Sequence, residues 1–248
     1  MANGDLPRLL TLAENGDLAA ALAALEHPPG RAHRVGITGP PGAGKSTLTG
    51  ALIKYWRDQG KSVAVVAVDP SSPRTGGALL GDRIRMESVA LDPGVFIRSM
   101  ATRGALGGLA RGTRAVSDVL DAAGFDIVIV ETVGVGQTEL DVVSATDTTV
   151  LVLVPESGDG IQALKSGLME VADVFAVNKS DRPGAERMAG EIRLALKLSD
   201  QRSHESRGAS HESWVPPVLS TVATSALGIE ELARAIERHR GVRRASAQ

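Results

Sequence analysis

The 248-residue sequence contains no cysteine. That excludes disulfides, thiol nucleophiles and thiolate metal sites, and it suits a reducing cytoplasm. Aromatic residues make up only 2% of the chain against 43% hydrophobic residues overall, so a core must be built from Ala, Val, Leu and Ile. An excess of one charge is missing too: 27 basic residues face 29 acidic ones, for a net charge of −2. No bulk attraction to nucleic acid or to a membrane surface follows from such a balance. Long hydrophobic runs are also lacking. The stretch Leu18–Leu25 lies between Asp17 and Glu26 and is far too short to span a bilayer. No basic-then-apolar leader opens the chain, and the expected location is cytoplasmic.

What is present is arranged around GPPGAGKST, residues 39–47. It fits G-x-x-x-x-G-K-[ST] through Gly39, Gly44, Lys45 and Ser46. An apolar run, Val35-Gly36-Ile37, precedes it, and a helix-like run, Leu48–Trp56, follows. Strand, glycine-rich loop and helix form the context a phosphate-binding loop needs. Its backbone N–H groups, from Gly39, Pro40, Pro41, Gly42, Ala43, Gly44, Lys45, Ser46 and Thr47 less the two prolines, can curl around phosphate oxygens at the positive end of a helix dipole. Lys45 is expected to bridge the outer phosphates, and the Ser46 hydroxyl to ligate Mg²⁺.

The rest of the chain reads as alternating elements. Leucine and alanine recur at helical spacing from Leu6 to Leu25, divided at Gly16-Asp17 with Asp17 as an N-cap, and Pro28-Pro29-Gly30 ends this segment. Residues 1–30 are therefore expected to form a helical extension, and residues 31–248 the nucleotide-binding domain. Val63–Val68, Ile127–Val130, Val150–Val154 and Val174–Val177 are continuous valine-rich runs, the signature of strands covered on both faces. Helical patterns at Leu48–Arg57, Leu106–Ala123, Ile161–Val171 and Ala185–Leu198 separate them. Val218–Thr221 reads as a last strand, and Ile229–His239 as an amphipathic helix stopped by Gly241. The expected fold is α/β: a P-loop, doubly wound, mostly parallel sheet with helices on both faces.

Ligands of such sheets gather at the carboxyl ends of the strands, where the remaining motifs fall. After Val63–Val68 comes Asp69-Pro70-Ser71-Ser72-Pro73-Arg74-Thr75-Gly76-Gly77. Asp69 can reach Mg²⁺ or its waters, while Asp82 is divided between a helix cap and a metal role. Ser99–Gly108 is basic, glycine-rich and irregular, and its Arg103 is divided between a phosphate contact and a solvated loop charge, with the loop charge favoured. Glu131-Thr132-Val133-Gly134 follows another strand as E-x-x-G: Glu131 can hold a metal-bound water, and the Gly134 amide can approach the γ-phosphate. Lys45 and Glu131 are thus the candidate catalytic pair. Asp159 is a candidate N-cap in the loop after Val154, with Lys165 six residues on. Asn178-Lys179-Ser180-Asp181 matches N-K-x-D. The aspartate carboxylate accepts from both N1–H and the 2-amino group of guanine, a donor pair adenine lacks. Lys179 can lie over the base and Asn178 can brace neighbouring loops. Ser225-Ala226-Leu227 resembles the loop that meets the guanine oxygen through backbone amides. Residues 200–214 read as a polar loop, and its His204 and His211 lack partners at ligand spacing.

With these residues assembled, the chain resembles the methylmalonyl-CoA mutase-associated G proteins of the MeaB/ArgK type from about Arg31 to Arg240. The likeness rests on GPPGAGKST, on VDPSSPRTGGALLGDRIRM (residues 68–86), on ETVGVGQTE (residues 131–139) and on NKSD. It implies a GTPase that hydrolyses GTP to GDP and phosphate, and that gates loading and protection of an adenosylcobalamin-dependent acyl-CoA mutase. It implies Ser46, Asp69, Asp82 and Glu131 around Mg²⁺. It also implies a third switch loop over Glu156–Lys165, with Asp159 and Lys165 at its charged positions and Gly160 where the family has an acidic residue. The implied partners are the mutase and its adenosyltransferase, with no nucleic acid and no membrane. Family members continue past the final helix into a dimerisation arm. This sequence stops at Gln248, so the expectation is a monomer or a dimer formed through another surface. Two competing roles are a nickel-insertion GTPase, disfavoured by the missing cysteines, and a kinase of an amino-acid transport system.

Overall fold

The computed structural model describes residues 5–69, 89, 91–101, 108–132, 145–155, 168–206 and 214–246. Seven strands form one sheet: β1 His33–Thr38, β2 Val63–Asp69, β3 Val95–Ala101, β4 Ile127–Thr132, β5 Thr148–Leu153, β6 Val174–Val177 and β7 Val218–Ser220. Their spatial order is β3-β2-β4-β1-β5-β6-β7, and every ladder is parallel. The described helices are α1 Leu6–Glu14, α2 Leu18–Ala23, α3 Lys45–Asp58, α4 Gly108–Ala122, α5 Leu168–Val171, α6 Ala185–Ser206 and α7 Ile229–Ser246.

Alternation of side chains along each strand explains why the valine runs are continuous. Val63 and Val65 point to one face, with Val35, Ile37, Ile129 and Val150, and meet Leu48, Leu52 and Trp56 of α3 and Leu232 and Ile236 of α7. Ala64, Val66 and Val68 point to the other, where Leu6, Leu9 and Leu10 of α1 and Val116, Val119 and Leu120 of α4 cover them. A third cluster packs Ala189 and Ile192 of α6 on Leu151, Leu153 and Phe175. Each fully buried Val or Leu contributes about 1.5–3 kcal/mol of apolar transfer, so both faces must be covered. Asp17 caps α2 as expected, accepting from the Ala20 N–H at 3.2 Å.

Three boundaries differ from the sequence reading. Ser99–Ala101 reads as irregular loop in the sequence but belongs to a further strand, β3. As the edge strand it needs only one hydrogen-bonded neighbour and tolerates polar residues: Arg98 pairs with Glu14 of α1 at 2.9 Å. The polar stretch from Asp200 remains helical to Ser206, because α6 extends rather than ending near Leu198. Gly241 does not stop α7, which runs on to Ser246. Three arginines tie its last turns to the amino-terminal edge of the sheet: Arg240 and Arg244 donate to the Arg31 carbonyl, and Arg243 to that of Asp147 at 2.7 Å. These bonds hold a glycine that costs only about 1 kcal/mol in a helix.

That same edge contains a buried polar chain. His33 Nε2 meets Thr148 Oγ1 at 2.8 Å, Thr148 Oγ1 meets His239 Nδ1 at 2.9 Å, and His239 Nε2 lies 3.2 Å from Asp173 Oδ1. Trp214 packs its ring 4.9 Å from that of His239 and donates to the Asp173 carbonyl at 2.7 Å.

Candidate functional site

β1 ends at Thr38, and the chain turns through residues 39–44 before α3 begins at Lys45. Two glycines make this turn possible. Gly39 has φ +140°, and a Cβ there would lie 2.1 Å from the Val152 carbonyl oxygen of β5. Gly44, with φ +84°, is the N-cap of α3, and a Cβ there would lie 2.6 Å from Asn178 Nδ2. Only a residue without a side chain suits such positions. The first-turn amides of α3 have no partner within the helix, so a ring of donors sits at its positive end, where anions bind.

Lys45 and Ser46 are buried, each 6% exposed. The Lys45 ammonium is held across the loop mouth, donating to the Gly39 carbonyl at 2.7 Å and to that of Pro40 at 3.0 Å. Ser46 donates to Glu131 Oε1 at 2.6 Å, and Thr49 to Glu131 Oε2 at 2.7 Å. Glu131 stands near the end of β4, 4% exposed, and each of its carboxylate oxygens accepts from one of these hydroxyls. Behind this pair Thr132 and Thr38 share a hydrogen bond of 3.2 Å between adjacent strands.

The N-K-x-D motif follows β6. Asn178 is 2% exposed and bridges three segments. Its Nδ2 donates to the Ala43 carbonyl at 2.9 Å, and its Oδ1 accepts from the Ala223 N–H at 3.2 Å and from Thr221 Oγ1 at 3.3 Å. Lys179 adopts a left-handed conformation, φ 56°, and its ammonium donates to the Gly42 carbonyl at 2.9 Å. Asp181 is exposed at the rim of the same loop. Ser225 closes a short 3₁₀ turn after β7, Ala226 is left-handed at φ 58°, and Leu227 pairs back with Val222.

The structure thus gathers residues 39–47, Glu131, Asn178, Lys179, Asp181 and the 225–227 turn at one end of the sheet. Thr49, Thr221 and Ala223 complete it and were not singled out from the sequence. Thr49 had a signal: it lies three residues after Ser46, on the same helix face. Asp82, Arg103, Gly134, Asp159, Lys165 and His211 lie outside the described residues, as do the side chains of Asp69 and His204. Among the described residues, no helix is long and apolar enough to cross a membrane.

Comparison with known proteins places this site in context. The family profile described as "Methylmalonyl Co-A mutase-associated GTPase MeaB" matches residues 6–248. A putative GTPase of Pyrococcus abyssi is 54% identical over 235 residues, covering 94% of this chain and 71% of that protein. The mouse protein named methylmalonic aciduria type A homolog, mitochondrial, is 43% identical over 202 residues, covering 80% of this chain and 47% of its own length. A solved structure described as LAO/AO transport system kinase superposes with TM-score 0.67 at 30% identity, covering 99% of this chain and 78% of that one. A parallel P-loop sheet, a guanine-recognition motif beside it and this match over almost the whole sequence agree: the chain belongs to the MeaB family of GTP-binding P-loop GTPases.

Proposed function

We propose that this GTPase is a nucleotide-gated chaperone for an adenosylcobalamin-dependent acyl-CoA mutase, with magnesium as the ion of its nucleotide site. The observation that carries the switch reading is the clasp of Glu131 by Ser46, 2.6 Å, and Thr49, 2.7 Å. It joins the phosphate loop directly to the strand end from which the E-x-x-G segment departs, so a change at the nucleotide is passed to that segment. The family description names a mutase-associated GTPase, and that wording supports the partner.

The donor set fits a hard dication. Ser46 and Glu131 offer a hydroxyl and carboxylate oxygens, buried together, with no sulfur or nitrogen in the pair. Ser46 and Glu131 would hold the ion, with Asp69 and Asp82 added by family resemblance. When bound, magnesium neutralises charge on the outer phosphates. The chain's own groups do the rest. The loop amides and Lys45 orient the phosphates and stabilise charge that grows during transfer to water. Asn178 and Lys179 hold the base-recognition loop against the phosphate loop, and the Asp181 carboxylate reads guanine.

GTP turnover measured with and without the cognate mutase tests the gating role. A partner-dependent rate is expected, and equal rates would overturn it. A transport-kinase role is the competing reading, favoured by the wording attached to the similar solved structure. Transfer of labelled γ-phosphate to a protein instead of water would select it.

A further inference from the structure

Glu131 is longer by one methylene than an aspartate, and a long carboxylate at a strand end can rotate about its own axis. Here it does not depend on one partner. Ser46 binds Oε1 and Thr49 binds Oε2, from successive turns of α3. Thr49 is 0% exposed and lies deeper along the helix than the loop itself. Its hydroxyl could have bonded back to the helix carbonyl four residues earlier, the usual habit of a threonine within a helix. It reaches across to β4 instead. The two hydroxyls have different duties. A metal ion would take a lone pair of the Ser46 oxygen, whereas the Thr49 hydroxyl donates to the far carboxylate oxygen.

We infer that Thr49 is a positioning residue: its hydroxyl anchors Glu131 Oε2 and so holds Oε1 toward Ser46, setting the affinity of the nucleotide-bound protein for its divalent ion. This rests on the reading of Ser46 and Glu131 as the metal-holding pair. Groups that orient the ligands of a metal are worth about 10–100-fold in its affinity when removed. Thr49, fully buried and bonded to Glu131 Oε2, requires no contact with nucleotide to act in this way.

The test uses the full chain loaded with fluorescent methylanthraniloyl-GDP. Release of the nucleotide is followed while Mg²⁺ is titrated from an EDTA-buffered start, and the readout is the Mg²⁺ concentration at which slowing is half complete. Thr49→Val should raise that midpoint about ten-fold, and Thr49→Ser, which restores the hydroxyl, should return it to the wild-type value. An unchanged midpoint in Thr49→Val, with Mg²⁺ dependence lost in Ser46→Ala, would overturn the role of Thr49 and leave the metal-holding pair intact. Release insensitive to Mg²⁺ in the wild type, or unaffected by Ser46→Ala, would overturn that pair itself. Thr49→Ala is measured beside the valine variant. Failure of both to fold, with Thr49→Ser folded, would make Thr49 a core residue and would also overturn the proposal.

Discussion

The side-chain amide of Asn178 donates to the backbone carbonyl of Ala43 at 2.9 Å, so the base-recognition loop and the phosphate loop are one hydrogen-bonded unit. The other end of the same amide accepts from Ala223 and Thr221. Asn178 therefore ties together the segments that meet the two ends of a nucleotide, with the exposed Lys179–Gly42 bond beside it.

Asn178→Ala removes all three bonds and strands a buried carbonyl and amide. It should cost about 2 kcal/mol of stability and lower GDP affinity roughly 30-fold. Calorimetric titration and a thermal melt check both. Loss of stability with unchanged affinity would show that the loops hold their spacing without Asn178.

Lys45→Ala removes the buried ammonium at the mouth of residues 39–47, which the Gly39 and Pro40 carbonyls hold. GTP affinity should fall by at least about 100-fold, because charge-assisted contacts to phosphate are among the strongest a protein makes. Fluorescent-nucleotide binding measures it. Wild-type affinity in the variant would remove Lys45 from phosphate binding.

Asp181→Asn exchanges a carboxylate that accepts two hydrogen bonds for an amide that offers a donor. Selectivity for GTP over XTP should fall by about two orders of magnitude or more, since a site that leaves polar groups unpaired rejects a ligand strongly. Competition between the two nucleotides reads this directly, and an unaltered ratio would take base recognition away from Asp181.

His33 gives the fold an acid limit. Burial, then the neighbouring Arg240 charge, lowers its pKa to about 3 from 6.5. Between those values the unfolded chain binds a proton that the folded chain does not, so stability rises with pH there. The contribution is complete above pH 6.5 and is lost as pH falls toward 3, at no more than roughly 1.4 kcal/mol per unit. His33→Gln keeps a group within reach of Thr148 and removes the titration. Urea midpoints from pH 7 to 4 should decline less steeply in the variant, and parallel slopes would show that His33 does not set the acid limit.

Much of this molecule is legible in one dimension. The valine runs become buried parallel strands because residues of both parities face a helix layer, and no polar alternation is needed. Residues 39–47 and 178–181 announce themselves because phosphate and guanine recognition depends on local backbone and on closely spaced side chains. β3 was illegible for the opposite reason. At the sheet edge, Arg98 and Ser99 are tolerated, so the pattern looks like a loop. The extra turns of α7 past Gly241 were hidden too, since contacts of Arg240, Arg243 and Arg244 with Gly30, Arg31 and Asp147 outweigh the local helix-ending signal.

By itself the sequence determined the chemistry on offer: phosphate, guanine and hard-cation donors, each in a short motif following an apolar run. Tertiary structure alone decided which of these groups touch. Glu131 is 85 residues from Ser46 and 82 from Thr49 along the chain, and Asn178 is 135 from Ala43. No local periodicity encodes such pairs. They arise because β4, β1 and β6 end on the same side of one parallel sheet, where burial obliges each carboxylate and amide to find its hydrogen bonds.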